Sequence, residues 1–589
     1  MTKVQEQENF SLSGKLWRMA ETDDGWCTRV AQAYGVPFYV AQLLYARHVA
    51  YDDIPTFLQP KLKDLMPEPY VLKDMQRAAE RVADAIMNGE KIAIIGDYDV
   101  DGATSTSELK RFFRAVGVEP MVHIPSREEG YGPSDLAFAE FKQADIKLVI
   151  TIDCGTTAFE PLNKAAREGF EIIVLDHHEA EAILPAVYAV VNPKRLDETN
   201  PYKYLEYMSA VGVGFMFLVA VNRLLRQRGF YATHNEPPLM NWLDLVALGT
   251  VCDVVPLLGL NRAYVKQGLK VMASQQNLGL KNLMRIAKME TSPRAYHLGF
   301  VLGPRINACG RVGDAALGSK LLSTEDDHEA KQLAEKFDAL NGERKEIENF
   351  VLLQAIEQVE KEAQEYPMAF AYGDDWHQGV IGIVAGKLRE RYNMPAFVMS
   401  IEPDEVKGSA RSVDGLDLGM LIISAKEHGV IKGGGGHTMA AGFSLTTEQI
   451  PEFKKFVGEY VLKHLGQDKI VPVLDIDCAV SLSAVNIDFA TNLAQLEPFG
   501  TGNPEPQILL QNVRIVKPAI IGSGHVRCLL SSPTGSSVSA IAFRAADNEI
   551  GQALLSNRGD VYDVVGYIKL DEWQGRQKVQ MIINDIMRK

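Results

Sequence analysis

The spacing of apolar and polar positions divides the chain into regions, and the first region with a clear pattern is residues 90–192. Five apolar runs are separated there by stretches with helical spacing. They are KIAIIG (91–96), VEPMVHI (118–124), IKLVITI (146–152), FEIIVL (170–175) and YAVVN (188–192). Continuous apolar strands that alternate with helices indicate βαβ units and a mainly parallel sheet.

The pattern changes after this region. Residues 204–290 have mostly helical spacing, and a long helix is predicted from about 325 to Pro367, bent at Asn341-Gly342, as a strut between two domains. A second α/β stretch with a glycine-rich loop follows at 367–465. Residues 470–589 contain short alternating runs between turn residues, which favours a small all-β barrel of the OB type.

These patterns predict an α/β fold with five segments. We expect an N-terminal lead-in (1–74), a parallel-sheet domain (75–290), a connecting helical segment (291–366), a smaller α/β domain (367–466) and a barrel (467–589). The barrel segment has ten basic and twelve acidic residues, so it is less acidic per residue than the whole chain.

Composition limits the classes of protein that fit. The 589 residues carry a net charge of −15, so no global basic field attracts polyanions, and nucleic-acid binding would need local basic grooves or metal ions. Six scattered cysteines form no C-x-x-C pair, which disfavours structural zinc and a disulfide framework. The N-terminus has no apolar signal region, and the run at 209–221 is too short to span a bilayer. We expect a cytoplasmic protein without a membrane segment.

Potential metal ligands follow three of the apolar runs. Asp97, Asp99 and Asp101 follow the first, Asp153 follows the third, and Asp176, His177 and His178 follow the fourth. A later apolar segment, 243–257, brings Asp253. Ligands bind beyond the carboxyl ends of parallel strands, so these side chains are predicted to converge. Carboxylates with imidazole suit Mn²⁺ or Mg²⁺.

Each piece alone has a plain structural interpretation. The three aspartates of 97–101 could form a solvated turn, Asp153 could cap a helix, the histidines could lie in the core, and Asp253 could pair with an arginine. Their order and their positions at strand ends favour a metal site.

The motifs GDYDVDG (96–102), TIDCG (151–155), LDHH (175–178) and VCDVVPL (251–257) resemble, in order, those of the DHH phosphoesterase superfamily. PSREEGYG (125–132), SAVGVGF (209–215), LGPRINACGR (302–311), WHQGVIGI (376–383), KGSARS (407–412) and KGGGGHTMAAG (432–442) extend the resemblance to the RecJ exonucleases, with DHH, DHHA1 and OB domains. One departure is Ile95, where many superfamily members have histidine.

The resemblance implies 5′→3′ hydrolysis of single-stranded DNA by two divalent cations, Mn²⁺ or Mg²⁺, in recombination and repair. Asp99, Asp101, Asp153, His177 and Asp253 would hold the ions, with Asp97 as a further ligand. Asp153, His177, His178 and Asp253 would be catalytic, and Asp176 would fix an imidazole. The residues implied to bind DNA or phosphate are Arg127, Arg305, Asn307, Arg311, His377, Gln378, Ser409, Arg411, Gly435, Gly436 and His437.

Further expectations concern partners and alternatives. The resemblance implies a monomer that works with single-stranded-DNA-binding protein and a repair helicase. In the barrel, Arg514, Arg527, Arg544, Trp573, Arg576 and Lys578 are candidates for DNA contact. Two alternatives stay open: another DHH phosphodiesterase, of the nano-RNase or cyclic-dinucleotide type, and a non-catalytic single-stranded-DNA-binding scaffold.

Overall fold

The computed structural model describes residues 10–127, 129–361, 365–467, 470–556, 559–573 and 576–589, excluding the side chains of 571–573 and 576. The chain forms two compact units. One comprises Met1–Pro60, Val471–Phe499 and Asn503–Lys589, and the other Lys61–Ile470 with Gly500–Gly502. The N-terminal piece of the first unit contains β1 (Leu16–Met19), α1 (Asp24–Tyr34), α2 (Phe38–Ala46) and α3 (Ile54–Leu58).

The second unit begins with a five-stranded sheet in which every pairing is parallel. Its strands are β2 (Ile92–Ile95), β3 (Met121–His123), β4 (Leu148–Ile152), β5 (Glu171–Leu175) and β6 (Ala189–Val191). The order is β3-β2-β4-β5-β6, so all carboxyl ends share one edge. The predicted strands are confirmed, because uninterrupted apolar runs such as that of β4 are fully buried.

Helices cover this sheet and extend its core. They are α4 (Leu62–Leu65), α5 (Met75–Asn88), α6 (Val100–Ala115), α7 (Asp135–Gln143), α8 (Phe159–Arg167), α9 (Ala210–Gln227), α10 (Leu243–Cys252), α11 (Gly259–Ala273), α12 (Leu278–Ile286), α13 (Ala295–His297), α14 (Gly303–Val312) and α15 (Ala316–Ser323). Although α9 is long and apolar enough to cross a membrane, 72% of its apolar window is buried, as expected for a core helix.

A 35-residue helix, α16 (Asp327–Lys361), connects two hydrophobic cores of this unit. Phe337 packs in the core beside the first sheet, and Val351 packs in the core of the next domain. The predicted strut is therefore present, and the helix continues without interruption through Asn341-Gly342, where the sequence predicts a bend. Residues 362–364, near its predicted end, lie outside the described ranges.

The smaller α/β domain has a mixed sheet in the order β10-β11-β9-β8-β7. Its elements are β7 (Ala369–Asp374), α17 (Gln378–Tyr392), β8 (Ala396–Ile401), β9 (Val406–Arg411), α18 (Leu418–Glu427), β10 (Gly433–His437), β11 (Ala440–Leu445) and α19 (Ile450–Leu465). The glycine-rich loop predicted here is instead the edge strand β10, because five of its residues pair with β11 in antiparallel register.

The first unit contains the predicted barrel. Its elements are β12 (Val473–Ile476), β13 (Cys478–Val480), α20 (Ile487–Ala494), β14 (Ile508–Ile521), β15 (His525–Ser531), β16 (Ser537–Ala542), α21 (Glu549–Ser556), β17 (Val561–Trp573) and β18 (Arg576–Arg588). Pairing of β14 with both β15 and β17 closes five strands, so the OB-type prediction agrees with the structure.

The predicted N-terminal lead-in requires a correction. Residues 1–74 were expected to form a segment of their own, but those up to Pro60 cluster with the barrel. The physical reason is that β1 pairs in parallel with β12, from Leu16 opposite Val473 to Met19 opposite Ile476. The remaining residues, 61–74, belong to the other unit.

Candidate metal centre and phosphate cavity

The carboxyl edge of the parallel sheet brings the predicted ligands together. Three groups of side chains each place their ligand atoms within 4.8 Å of one another. They are Asp153, His177 and His178; Asp101, His177 and Asp253; and Asp97, Asp99 and Asp153. The predicted convergence is therefore present in the fold, and Asp97 takes part although Ile95 is an ordinary buried strand residue.

His177 lies at the middle of this cluster. Its Nε2 lies 3.3 Å from Asp153 Oδ1 and 3.9 Å from Asp101 Oδ2, and its Nδ1 lies 3.6 Å from Asp253 Oδ2. Burial and the neighbouring His178 lower the pKa of His177 to about 3, so the ring is neutral and both nitrogens suit metal coordination.

The carboxyl groups are crowded and buried. Burial and the charge of Asp99 raise the pKa of Asp97 and of Asp101 to about 7. Burial and Asp101 raise the pKa of Asp253 to about 9 and that of Asp153 well above its ordinary value. Like charges at this spacing cannot all ionise without a compensating cation.

The residues present fit a divalent cation. Within the described ranges, Asp97 Oδ1, both ring nitrogens of His177 and Asp253 Oδ2 are buried without a hydrogen-bond partner. Such orphaned polar atoms are costly unless a ligand satisfies them. Oxygen and imidazole donors without a thiolate are the set expected for Mn²⁺ or Mg²⁺.

Two backbone features bring α6, α9 and α10 close enough to form the cluster. The Asp101 carboxylate accepts hydrogen bonds from the backbone N–H groups of Ala210 (2.6 Å) and Val211 (3.1 Å) at the start of α9. Gly249 of α10 faces α6, where a Cβ would lie 2.7 Å from Asp101 Oδ1 and 2.4 Å from Thr104 Oγ1. Only glycine allows this approach, which also positions Asp253 at the end of α10.

Asp176 and His178 form a second layer. His178 Nδ1 lies 2.7 Å from Asp176 Oδ1, and Asp176 Oδ2 accepts a hydrogen bond from Thr156 N at 2.9 Å. Burial alone would lower the pKa of His178, but the hydrogen bond and charge of Asp176 raise it. The hydrogen bond and charge of His178 lower the pKa of Asp176 despite burial. The pair therefore favours a charged imidazole beside an ionised carboxylate.

Beside the metal cluster, a cavity of about 420 Å³ contains a group of arginines. Its lining includes Ser126, Arg127, Gly310, Arg311, His377 and Gln378. Arg127 Nε donates to Gly310 O at 2.5 Å, and its guanidinium lies 4.4 Å from the Tyr98 ring centroid. Arg311 Nη1 donates to Gly379 O at 2.8 Å. Burial and the charges of Arg127, Arg344 and Arg411 lower the pKa of Arg311 to about 10, so it stays charged at neutral pH.

The mixed sheet contributes further residues from one face. Arg411 Nη1 donates to Ser409 Oγ at 3.2 Å and to Ala410 O at 2.8 Å. Across the strands, Gly435 pairs with Gly442, which pairs with Ser409, and His437 pairs with Ala440, which pairs with Arg411. Paired residues share a face and successive residues alternate, so Gly436 points to the other side.

Gly435 leaves open space on this face, because a Cβ there would meet nothing within 4 Å. Within the described part of the chain, no carboxylate pairs with Arg127, Arg311 or Arg411; they bond backbone carbonyls and the Ser409 hydroxyl. Unpaired guanidinium groups beside an open sheet face form a site suited to an anion.

Other predicted residues are placed differently. Arg305 pairs with Asp338 of α16 at 2.9 Å and donates to Val301 O. Asn307 is half-buried in α14, and neither residue lines the arginine cavity. Among the barrel candidates, the side chains of Trp573 and Arg576 lie outside the described set.

Two residues near the centre were missed by the sequence reasoning. The Tyr131 hydroxyl donates to Asp153 O at 2.7 Å and lies 3.3 Å from His178 Nδ1. Lys194 follows β6, and its ammonium influences both His177 and Asp253. The signal for Lys194 was its position in NPK directly after the fifth apolar run, the same kind of position that identified the acids.

Together, the parallel sheet with its carboxylate–imidazole cluster and the long helix leading to a second α/β domain define a DHH-type phosphoesterase. Family models agree: the DHH family N-terminal domain matches residues 91–250, the DHHA1 domain 365–463 and the RecJ OB domain 476–585. The chain belongs to the RecJ family, which confirms the family and fold class inferred from the motifs.

Relatives match over most of their length. The single-stranded-DNA-specific exonuclease RecJ of Bacillus subtilis is 32% identical over 98% of this chain and 71% of its own, and that of Escherichia coli is 33% identical over 90% and 92%. The crystal structure of Thermus thermophilus RecJ with Mn²⁺ superposes with a TM-score of 0.80 at 28% identity, covering 97% of this chain and 79% of that one. A second Thermus structure contains Mg²⁺, in keeping with the predicted choice of cation.

Proposed function

We propose that this chain is a single-stranded-DNA-specific exonuclease that hydrolyses DNA from the 5′ end and releases 5′-mononucleotides in recombination and repair. The observation that supports it most is the arginine cavity beside a carboxylate–imidazole cluster. The arginine cavity would bind a terminal phosphate, and the carboxylate–imidazole cluster is suited to hydrolysis of the next phosphodiester.

Asp97, Asp99, Asp101, Asp153, His177 and Asp253 would hold the metal ions. When bound, two divalent cations supply Lewis acidity at the scissile phosphate and a water of lowered pKa. Asp153 and His177 each belong to two of the three ligand groups, so loss of either would disturb more than one group. The start of α9 holds Asp101 in place through two backbone hydrogen bonds.

His178 is placed to donate a hydrogen bond from a ring N–H to the scissile phosphate. Asp176 holds the imidazole through Nδ1 and raises its pKa, which favours the charged ring and leaves Nε2 for an anionic oxygen. Tyr131 fixes the Asp153 backbone from the same side. Asp176 and Tyr131 are positioning residues in this scheme.

The cavity would set the polarity of the reaction. Arg127 and Arg311 line the cavity, and Arg411 of the mixed sheet influences Arg311; all three offer fork-shaped donors that match a terminal phosphate dianion. Ser409 and His437 add donors from the sheet face. A strand anchored there by its 5′ phosphate presents its next phosphodiester to the metal cluster. Arg305 and Asn307 are proposed to act farther along the groove, and Gly435 to allow close approach of the strand.

The test is digestion of end-labelled single- and double-stranded DNA with Mn²⁺, Mg²⁺ or EDTA. The parent protein should release 5′-terminal mononucleotides from single strands only, and EDTA should stop it. Asp153→Asn should slow cleavage by at least about a thousandfold, because several kcal/mol of transition-state stabilisation would depend on the metal ions that this carboxylate would help to hold. Binding of DNA in EDTA should persist.

Asp135→Asn is the matched control, since Asp135 is exposed and paired with Lys164. It should cleave at the parent rate. Parent-rate cleavage by the Asp153 variant, or release of label from 3′ ends alone, would overturn the proposal.

We further propose that the protein works as a cytoplasmic monomer with single-stranded-DNA-binding protein and a repair helicase, as the family resemblance implies. The alternatives are less well supported. The closed barrel and its RecJ OB match argue against a shorter DHH phosphodiesterase, and the intact set of ligands argues against a non-catalytic scaffold.

A further inference from the structure

A second cavity lies at the opposite edge of the parallel sheet from the arginines. It has a volume of about 520 Å³, and its lining includes Glu179, Lys194, Tyr207, Val255 and Pro256. Glu179 directly follows His178, and Val255 comes two residues after Asp253. The cavity therefore adjoins the metal cluster on the side that the proposed function leaves unused.

Lys194 is held at the rim of this cavity by a buried asparagine. Asn192 Nδ2 donates to Thr156 Oγ1 and to His178 O, both at 2.9 Å, and Asn192 Oδ1 accepts from Lys194 N at 2.8 Å. The Lys194 ammonium lies 3.2 Å from Glu179 Oε1. Since the Glu179 side chain is 69% exposed, this ion pair is exchangeable for another anion.

Val254 is strained and exposed beside the same cavity. It has φ 61°, in the left-handed region that β-branched residues avoid, at the position after α10 where glycine is usual. The residue is 66% exposed although it follows the ligand Asp253. Strain of this kind persists where a side chain is needed in a particular place.

The strand order arranges these features in a line. Arg127 follows β3 at one edge, the acids and histidines follow β2, β4 and β5, and Lys194 follows β6 at the other edge. Adjacent strands are about 4.8 Å apart, so the line covers about 19 Å. A DNA strand anchored at the arginines and cut at the centre continues towards Lys194.

We propose that the Lys194 cavity seats the first nucleotide on the 3′ side of the cut bond, with Val254 against its base or sugar and Lys194 on its 3′ phosphate. This inference rests on the proposed function. It gives Lys194 and Val254 the role of holding the retained strand while the terminal nucleotide departs.

Binding of short 5′-phosphorylated thymidylates in EDTA tests the proposal without metal or turnover. The mononucleotide would reach only the arginine side. The dinucleotide would also place a base or sugar at Val254, and the trinucleotide would add a phosphate at Lys194. Lys194→Gln should leave the affinity for one and two nucleotides unchanged and weaken that for three about tenfold, as for one lost charged contact. The slope of log affinity against log salt should fall by about 0.7 for three nucleotides only.

Lys142→Gln is the control, because Lys142 forms a comparable pair with Glu168 on the surface. It should match the parent with all three ligands. An equal loss in Lys194→Gln for all three lengths would indicate general electrostatics and overturn the assignment.

Val254→Gly separates contact from backbone strain. Relief of strain should raise the melting temperature, while loss of the side chain should weaken binding of two and three nucleotides about threefold and leave one unchanged. A stabilised variant with parent affinity at every length would overturn the role of Val254.

The parent protein distinguishes failure of this inference from failure of the proposed function. If the parent fails to prefer thymidine 5′-phosphate over thymidine or fails to cleave with Mn²⁺, the proposed function is wrong. If the parent does both and the Lys194 and Val254 variants bind like it, this inference alone is wrong.

Discussion

At the residue scale, burial and neighbouring charges disfavour the ionised form of each buried acid in the centre, and the same crowding suits the group to metal binding. Asp153 has φ 63°, which turns the chain sharply at the end of β4. Asp101 and Asp153 are almost fully buried. The free energy lost through burial and repulsion is recovered when a cation binds, and metal binding then releases the protons that the metal-free centre holds.

This balance predicts how the stability of the metal-free protein depends on pH. The raised pKa values, about 7 for Asp97 and Asp101 and about 9 for Asp253, mean that these carboxyl groups bind more protons in the folded state than in the unfolded state between about pH 4 and pH 9. They outweigh His177, whose lowered pKa acts in the opposite direction below about pH 6.5. Unfolding then releases protons, so stability should fall as pH rises from about 5 to 9.

Calorimetric melting in EDTA would measure this fall, and added Mn²⁺ should raise the melting temperature most at the highest pH. Asp253→Asn provides the comparison, because it should flatten the part of the curve between pH 7 and 9. A melting temperature that rises with pH in EDTA would contradict the prediction.

Arg411 allows a separate test of the phosphate cavity. Arg411→Ala should reduce the preference for 5′-phosphorylated over 5′-hydroxyl ends by about 10- to 100-fold, the range for a hydrogen bond to a charged group. Cleavage at saturating DNA should change less. Competition binding with the two kinds of end measures the preference, and Arg391→Ala, an exposed arginine paired with Glu360, is the control.

At the element scale, close contact between helices forms the centre. α10 and α6 approach through Gly249, and this contact brings Asp253 of one segment to Asp101 of the other. Apolar helices of this kind are easily recognised in the sequence, but the distance between α10 and α6 depends on the absence of a side chain at Gly249.

Gly249→Ala should therefore damage the metal site without removing a ligand. We expect a loss of about 1–3 kcal/mol in the free energy of unfolding from overpacking, together with weaker Mn²⁺ binding. Gly386→Ala is the control, since a Cβ there meets nothing within 4 Å and should stabilise α17 by up to about 1 kcal/mol. Denaturant melts and Mn²⁺ titration measure the two effects.

The sequence predicts elements well where local pattern decides. The strands β2 to β6 follow from apolar runs, and the acids at their ends follow from parallel topology. Prediction fails where a distant partner decides: Gly433–His437 has weak strand propensity and becomes a strand only by pairing with β11. Tyr131 was missed because its role depends on contacts with Asp153 and His178, which other segments bring to the sheet edge.

At the scale of the whole molecule, α16 connects the metal domain to the phosphate-binding sheet. In its middle, between the two cores, Glu348 pairs with Arg344 of the same helix and with Lys387 of α17. Arg344 Nη2 also donates to Asn341 Oδ1 at 2.6 Å. The network joins the strut to the helix that begins beside the arginine cavity.

Glu348→Ala should leave two cations without their shared partner. Loss of a buried pair costs about 3–5 kcal/mol, so we expect a clear drop in stability and weaker selection of 5′-phosphorylated ends. Glu357→Ala, which breaks the exposed pair with Lys361 on the same helix, should cost less than about 1 kcal/mol. Urea unfolding and end-competition binding give both readouts, and equal losses in the two variants would contradict the prediction.

The parallel pairing of β1 with β12 has a consequence for how the polypeptide matures on the ribosome. The partner strand of Leu16–Met19 is translated about 450 residues later, roughly 23 to 90 seconds at about 5–20 residues per second. During that interval the intervening unit has time to fold, while the nascent N-terminal segment waits without its strand neighbour. Exposed side chains there, such as Phe10 and Met19, make that segment a natural client for chaperones until the last part of the chain emerges.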